Sequence, residues 1–279
     1  AVDRRAHDPP GMARALPGIL PSLSPQEAVE ITRIYSAAGR LNGSTATGLI
    51  TKRPVRTPHH TASAIAVIGG GKVPAPGEIS MAHQGVLFLD ELPEFPRAVL
   101  DTLRQPLESG DVTISRAHSS ASFPANFMLV AAMNPTASGE MPANDTGRRE
   151  MKRYLGRISR PLIDRIDIHV EAPAVPWKDL SATDSKPGTS TAQMRDRVAA
   201  ARDRQRARQG ETLNARLRGK ELDTLAPMTD NARAMLGGAL TELGLSARAY
   251  DKIRRVARTI ADIDADDTID IAHIAEAIQ

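Results

Sequence analysis

The stretch Gly85-Val86-Leu87-Phe88-Leu89-Asp90-Glu91 constrains the fold more than any other part of the chain. Four consecutive apolar residues run directly into two carboxylates. A short apolar run without polar alternation reads as a strand covered on both faces, hence the middle of a parallel sheet. In open α/β sheets ligands gather beyond the carboxyl ends of the strands, where Asp90 and Glu91 emerge. An Asp there is suited to hold a Mg²⁺ ion that bridges nucleotide phosphates. A neighbouring Glu is suited to orient or deprotonate a water. Taken alone, the pair reads equally well as two acids favoured at the N-terminus of a following helix.

At 279 residues the chain has room for one large domain and a small one. No apolar run approaches the ~20 residues that span a bilayer, and no secretory segment opens the sequence, so the expectation is a cytoplasmic protein without a membrane partner. The absence of cysteine excludes disulfides and thiolate metal sites. The net charge is only +3, yet residues 195 to 220 carry nine basic side chains against three acidic ones. Such a segment suits contact with phosphates, and it equally suits the solvated face of a helix. With aromatic residues at 3%, no platform for stacking bases is evident.

Taken in order, residues 1 to 23 hold polar residues and prolines but no strand-like run. Ser24-Pro25-Gln26-Glu27 marks a helix start, with Ser as N-cap, Pro at the first position and Glu at the third. Ala28, Ile31, Ile34 and Tyr35 give that helix an apolar face. Residues 42 to 85 form a long connection rich in Gly and Pro, a length that usually signals function. Its Gly69-Gly70-Gly71-Lys72 lacks the spacing and the following Ser or Thr of a phosphate loop. The adjacent His59 and His60 are poorly arranged as ligands of one metal.

Beyond Glu91, the residues Phe95, Val99, Leu103 and Leu107 recur at helical spacing up to Gly110. Val112-Thr113-Ile114 alternates like a strand, and His118-Ser119-Ser120 reads as a hairpin tip. Phe127 to Met133 forms a second buried apolar strand ending at Asn134-Pro135. Asn134 is placed to hold a water or a phosphate, or simply to form an Asx turn. Ile166 to Val170 is a third strand candidate, with Arg165 at its start. Ser181 to Thr191 is a composition break, and the helical periodicity of Ala247 to Ile263 and of Ile271 to Ile278 follows it, with Asp270 as a candidate N-cap. Arg248 sits at the start of the first of these helices, off its apolar stripe. These signals predict an α/β core at 1–180, a linker at 181–191 and a small helical domain at 192–279.

The blocks RPVRTPHHTAS, GGGKVPAPGEISMAHQGVLFLDELPEF, LRQPLESGDVTISRA, FPANFMLVAAMNP, RYLGRISRPLIDRIDIHVEAP and GLSARAYDKIRRVARTIAD, in this order, resemble AAA+ ATPases of the magnesium-chelatase-like, ComM-type family. The resemblance implies a parallel sheet sandwiched by helices, followed by a helical lid. It implies that Asp90 holds Mg²⁺, Glu91 activates water, and Asn134 is the sensor of the γ-phosphate. Arg165 matches the finger offered to a neighbouring subunit, and Arg248 the second sensor on the lid. The hairpin around 112–123 resembles one that lines the pore of related ring helicases. ATP and Mg²⁺ are the implied cofactors; the implied partners are further copies of the chain in a ring, a hexamer, and DNA.

Two departures from the family pattern stand out. Between His7 and Leu20 the flanks of a phosphate loop are recognisable, and Pro10 and Gly11 are its remaining cofactor-binding candidates. The Ser-Gly-Lys-Thr segment expected between Gly11 and Met12 is missing, as is an apolar strand before it. The expectation is therefore an ATP-driven ring motor of the helicase or branch-migration type with impaired ATP binding. A non-hydrolysing scaffold subunit, or a metal-chelatase motor subunit, is the alternative. Second, Thr136-Ala137-Ser138-Gly139 stands where many relatives carry cysteines, so no zinc is implied.

Overall fold

Helix α1 (Pro25–Ala37) begins with the capping pair that its sequence implies. The Ser24 hydroxyl accepts from the Glu27 N–H at 3.2 Å, and the Glu27 carboxylate accepts from the Ser24 N–H at 2.8 Å. Its apolar face buries Ala28, Ile31 and Ile34, while the Tyr35 hydroxyl donates to the Met81 carbonyl. These features come from a computed structural model, which describes residues 11, 15–41, 48–116, 119–134, 136, 145–171 and 188–279. The chain divides into two compact units, one of Ala1–Gly18 with Ser22–Gly188 and one of Ile19–Pro21 with Thr189–Gln279.

In the first unit, the long connection before Gly85 is not featureless. It contains strand β1 (Val55–Arg56), helix α2 (Ala64–Ile68), the short antiparallel pair β2 (Gly69–Gly70) and β3 (Ala75–Pro76), and helix α3 (Glu78–Met81). Each element is too short to show a period, which is why the sequence reads as loop. Strand β4 (Val86–Leu89) follows, with all four side chains buried. It lies between β1 and β7 (Met128–Ala131), parallel to both, as a covered apolar run demands. Gly85 makes the entry possible: a Cβ there would stand 2.0 Å from the Pro54 carbonyl oxygen, so only glycine lets the two backbones approach.

A turn at Leu92–Glu94 leads to α4 (Arg97–Thr102) and α5 (Arg104–Ser109). The sequence predicts one helix here. The break falls where Pro106, having no N–H, cannot bond back to Thr102. Gly110 closes α5 in the left-handed conformation, φ 78°. Strands β5 (Asp111–Arg116) and β6 (Ser119–Pro124) form the expected antiparallel hairpin; the predicted tip at His118 lies outside the described residues. Helices α6 (Asp145–Leu155) and α7 (Arg160–Ile163) complete the unit's described elements. Val67, Ile79, Leu87, Leu89, Leu100, Leu103 and Leu162 pack as its core.

Two expectations need correction. Strand β7 is not covered on both sides: Met128 is 43% exposed and Leu129 to Ala131 are half-buried, because among the described residues β7 has β4 alone as neighbour. Ile166 to Val170 is not a strand at all, and Ile168 and Val170 are 67% and 82% exposed. Alternation makes a strand possible, but a ladder partner makes it real, and none pairs with this segment among the described residues.

His83 ties α1 to the sheet. Its Nδ1 accepts from the Asn126 N–H at 3.0 Å, so Nε2 carries the proton and donates to Glu30 at 3.2 Å. Burial holds its pKa below the ordinary imidazole value despite the Glu30 carboxylate.

The second unit is helical: α8 (Thr191–Gln209), α9 (Gly219–Leu225), α10 (Asp230–Glu242), α11 (Ala247–Asp264) and α12 (Ile271–Ile278). Asp270 caps α12 as expected, its own N–H donating to His273 Nδ1. Leu217, Leu222, Leu236, Ile253, Ala257, Ala261 and Ile274 form the core. The deepest face of α11 also buries Arg254, Arg258 and Asp262. Asp262 accepts from Arg208 at 2.6 and 2.9 Å, from Asn214 at 2.7 Å and from Arg258 at 3.0 Å. Arg258 also donates to the Asp266 and Asp267 carbonyls just past the helix end, and Arg204 donates to the Asp262 carbonyl. Two members of the basic segment, the partly buried Arg208 and the exposed Arg204, thus tie α8 to α11.

Candidate functional site

Parallel pairing of Leu89 with Ala131 brings β4 and β7 to the same edge of the sheet. The ladder continues past the strands: the Ala132 N–H donates to the Leu89 carbonyl at 2.9 Å, and the Leu92 N–H to the Ala132 carbonyl at 3.0 Å. Asp90 and Glu91 on one chain segment, and Asn134 on the next, therefore leave the sheet side by side. All three are exposed. The Asp90 carboxylate accepts from the Glu91 N–H at 2.9 Å.

Glu91 is held in an unusual way. Its backbone is left-handed, φ 51° and ψ 49°, one of three such non-glycine residues among those described. Backbone strain of this kind clusters at functional sites. Its carboxylate lies 3.0 Å from Nδ1 of His60, which stacks on His59 with ring centroids 4.1 Å apart and meets Phe95 edge-on. Tyr154 of α6 lies in the same neighbourhood: burial, with the charges of Glu94 and Glu91, pushes its phenol pKa up. Arg157 lies over its ring and pairs with Glu94 at 3.0 Å. A recess of about 430 Å³ is lined by Pro93, Glu94, Phe95, Arg97, Arg153, Gly156 and Arg157.

The other expected site residues lie on other elements. Arg165 follows α7 and is mostly buried, donating to the Pro161 carbonyl and to Glu108 of α5. Arg248 is exposed in the first turn of α11, in the second unit. Gly11 is half-buried and Pro10 lies outside the described residues. Sequence reasoning missed the pairing of His60 with Glu91 and the approach of Tyr154. The His pair was visible, but adjacent histidines direct attention to metal binding, not to a carboxylate 31 positions away.

A nucleotide's Mg²⁺ fits what is present at Asp90. That ion takes one or two protein carboxylates and otherwise water and phosphate oxygens, and Asp90 offers one exposed carboxylate. Among the described residues no group of three or more His, Asp or Glu side chains could hold a metal by itself. The phosphates find a poorer match, since the segment from His7 to Leu20 contains no Gly-Lys-Ser/Thr.

The parallel sheet with acids at its carboxyl edge, followed by a helical unit, defines a magnesium-chelatase-like AAA+ architecture. Residues 10–180 match the family model for magnesium chelatase subunit ChlI, and residues 188–279 match that for the C-terminal part of the same subunit. The chain is 46% identical over 277 residues to the uncharacterized protein YifB of Salmonella typhimurium, and 45% identical over 278 residues to competence protein ComM of Haemophilus influenzae. Each match covers 97% of this chain and 54% or 53% of the relative, so the chain spans about half the length of the curated proteins it matches. A magnesium-chelatase subunit ChlI from Chlorella vulgaris is 32% identical over 96 residues, which is 34% of this chain and 27% of that protein. The chain belongs to the ComM-type magnesium-chelatase-like family. No described helix is long and apolar enough to cross a membrane.

Proposed function

We propose that the chain is the ATP-hydrolysing module of a ring-forming motor that acts on DNA, with weakened nucleotide binding. The observation that carries this reading is the placement of Asp90, Glu91 and Asn134 along one edge of adjacent parallel strands. Bound Mg²⁺ would supply charge neutralisation at the phosphates, with Asp90 as its protein ligand. Glu91 accepts the proton of the attacking water, and Asn134 orients that water or the γ-phosphate. Arg165 serves the site of a neighbouring copy, and Arg248 reaches the nucleotide from the lid. The module is organised as an α/β core to residue 180, a linker at 181–191, of which 181–187 lie outside the described residues, and a lid from 192.

With the phosphate cradle missing from the sequence, ATP is expected to bind well above the low micromolar range. A dissociation constant near ~1 μM, about 8 kcal/mol of binding, overturns that part of the reading. At several millimolar ATP, Glu91→Gln is expected to abolish turnover while leaving nucleotide binding intact. Retained hydrolysis in that variant removes Glu91 as the base. Failure of the unaltered chain to hydrolyse ATP favours the second reading, a subunit that lends Arg165 to a partner's site but has no active site of its own. The missing Gly-Lys-Ser/Thr is what speaks for that alternative.

DNA affinity is expected to fall steeply with salt, since phosphate contacts release counterions. Arg208 is committed to Asp262 and Asn214, Arg204 spends one N–H on the Asp262 carbonyl, and Arg206 lies 3.9 Å from Asp203 and 3.8 Å from Glu211. The slope should therefore correspond to fewer contacts than the nine basic residues of 195–220 suggest. An affinity that ignores salt takes DNA off the list of partners.

A further inference from the structure

Nothing in the proposed reaction explains why a histidine is anchored against the carboxylate that must act as base. His60 is 28% exposed and Glu91 51% exposed, so the contact is no accident of deep burial. The imidazole is fixed from two sides, by the His59 ring at 4.1 Å and by the edge-on Phe95 ring at 6.4 Å. His59 is itself pinned, its Nδ1 lying 2.9 Å from the Thr61 hydroxyl. Phe95 is buried in the core. An imidazole packed between two rings thus meets a carboxylate whose backbone lies in the left-handed region. Both ends of the pair are constrained, one by packing and one by the chain turn after β4.

We infer that His60 is a positioning residue: by donating from Nδ1 to one oxygen of Glu91, it fixes the carboxylate so that the other oxygen is presented to water. This inference rests on the role proposed above for Glu91. An ionised carboxylate has acceptors and no donor, so the imidazole must carry its proton on Nδ1 for the contact to hold. One Glu91 oxygen is then committed and the other is free to take a proton. An exposed glutamate without such an anchor samples several rotamers, and a base must be held in line with its water to be effective. This is the logic of a base oriented by a third group.

The tautomer gives a test that needs no nucleotide. In long-range ¹H–¹⁵N spectra of the full chain, recorded above the imidazole titration range, His60 is expected as the Nδ1–H form. The His60→Asn spectrum identifies its signals among the seven histidines. In Glu91→Ala, the same ring should relax toward the Nε2–H form, because the partner that selected the tautomer is gone. An Nε2–H form in the unaltered chain, or no change in Glu91→Ala, overturns the contact.

Turnover supplies the second readout. At saturating ATP, His60→Ala should lower kcat by ~10- to 100-fold with KM unchanged, the size expected from misplacing a catalytic group. His60→Asn should stay within about threefold of the starting kcat, since its amide N–H can occupy the place of Nδ1–H. An unchanged kcat in His60→Ala, or a change confined to KM, refutes positioning. If the unaltered chain does not hydrolyse ATP, the proposed function fails, and His60's part in catalysis with it; the tautomer spectra still decide the contact independently.

Discussion

Replacing Asp262 with alanine is expected to destabilise the helical unit by about 3–5 kcal/mol, the cost of stripping the partner from buried charges. Both Arg258 and Asp262 have no solvent exposure, and Arg208 and Asn214 complete the cluster around one carboxylate. Removing that carboxylate leaves two guanidiniums facing each other beside the carbonyls that follow α11. Since domains are stable by only about 5–15 kcal/mol, the loss is a large share of the total. Urea denaturation followed by circular dichroism reads it. Asp264→Ala, removing a half-exposed carboxylate at the same helix end, should cost under about 1 kcal/mol. Equal effects at the two positions would mean that the cluster is not what holds α8 to α11.

The same cluster fixes an acid response. Burial pushes the Asp262 carboxyl up, but hydrogen bonds from Arg208 and Asn214 and the charge of Arg258 outweigh it, and its pKa lies below the ordinary value. A depressed acid contributes fully above the unfolded pKa of about 4, and that contribution drains away below it. His83 in the first unit acts earlier: the unfolded chain takes up a proton near pH ~6.5 that the buried imidazole resists. Methyl NMR signals of Ile79 and Ile274 should therefore report loss of stability in the first unit between pH 7 and 5, with the second holding to about 4.

Arg165→Ala is expected to reduce ATP turnover by roughly 10³-fold or more, the usual contribution of an arginine finger, while sparing ATP binding in the altered subunit. The structure holds this arginine mostly buried, on Glu108 and the Pro161 carbonyl. To serve a neighbour it must leave Glu108, so Glu108→Gln should ease that transfer and leave the turnover intact. Mixing Arg165→Ala subunits with Glu91→Gln subunits should restore part of the activity, because some interfaces then pair an intact finger with an intact base. A mixture no more active than its parts would show that Arg165 works within its own chain.

How much of this was legible in residues follows from what a side chain's pattern can encode. The β4 strand was legible because four buried apolar residues have few other uses, and α1 because Ser24 and Glu27 satisfy each other locally. The fate of Ile166 to Val170 was not, since alternation says nothing about whether a partner strand is present. Leu103 was counted into one long helix because its hydrophobic period runs on, whereas Pro106 acts through a missing donor. Most opaque was the interior of α11. Arg254, Arg258 and Asp262 sit at the same helical spacing as Ala257 and Ala261, but charged residues are read as solvent-facing until their partners in α8 and α9 are known. At the site, Asp90, Glu91 and Asn134 were visible as strand ends, whereas His60 came into view only through folding.

The left-handed turn at Glu91 has a consequence for anyone who would improve this protein. Glycine adopts that conformation freely, so Glu91→Gly should relieve about 1 kcal/mol of backbone strain while deleting the group assigned as base. Selection for thermal robustness alone would therefore drift toward an inert protein at this position, and a gain in melting temperature there would mark a loss of purpose.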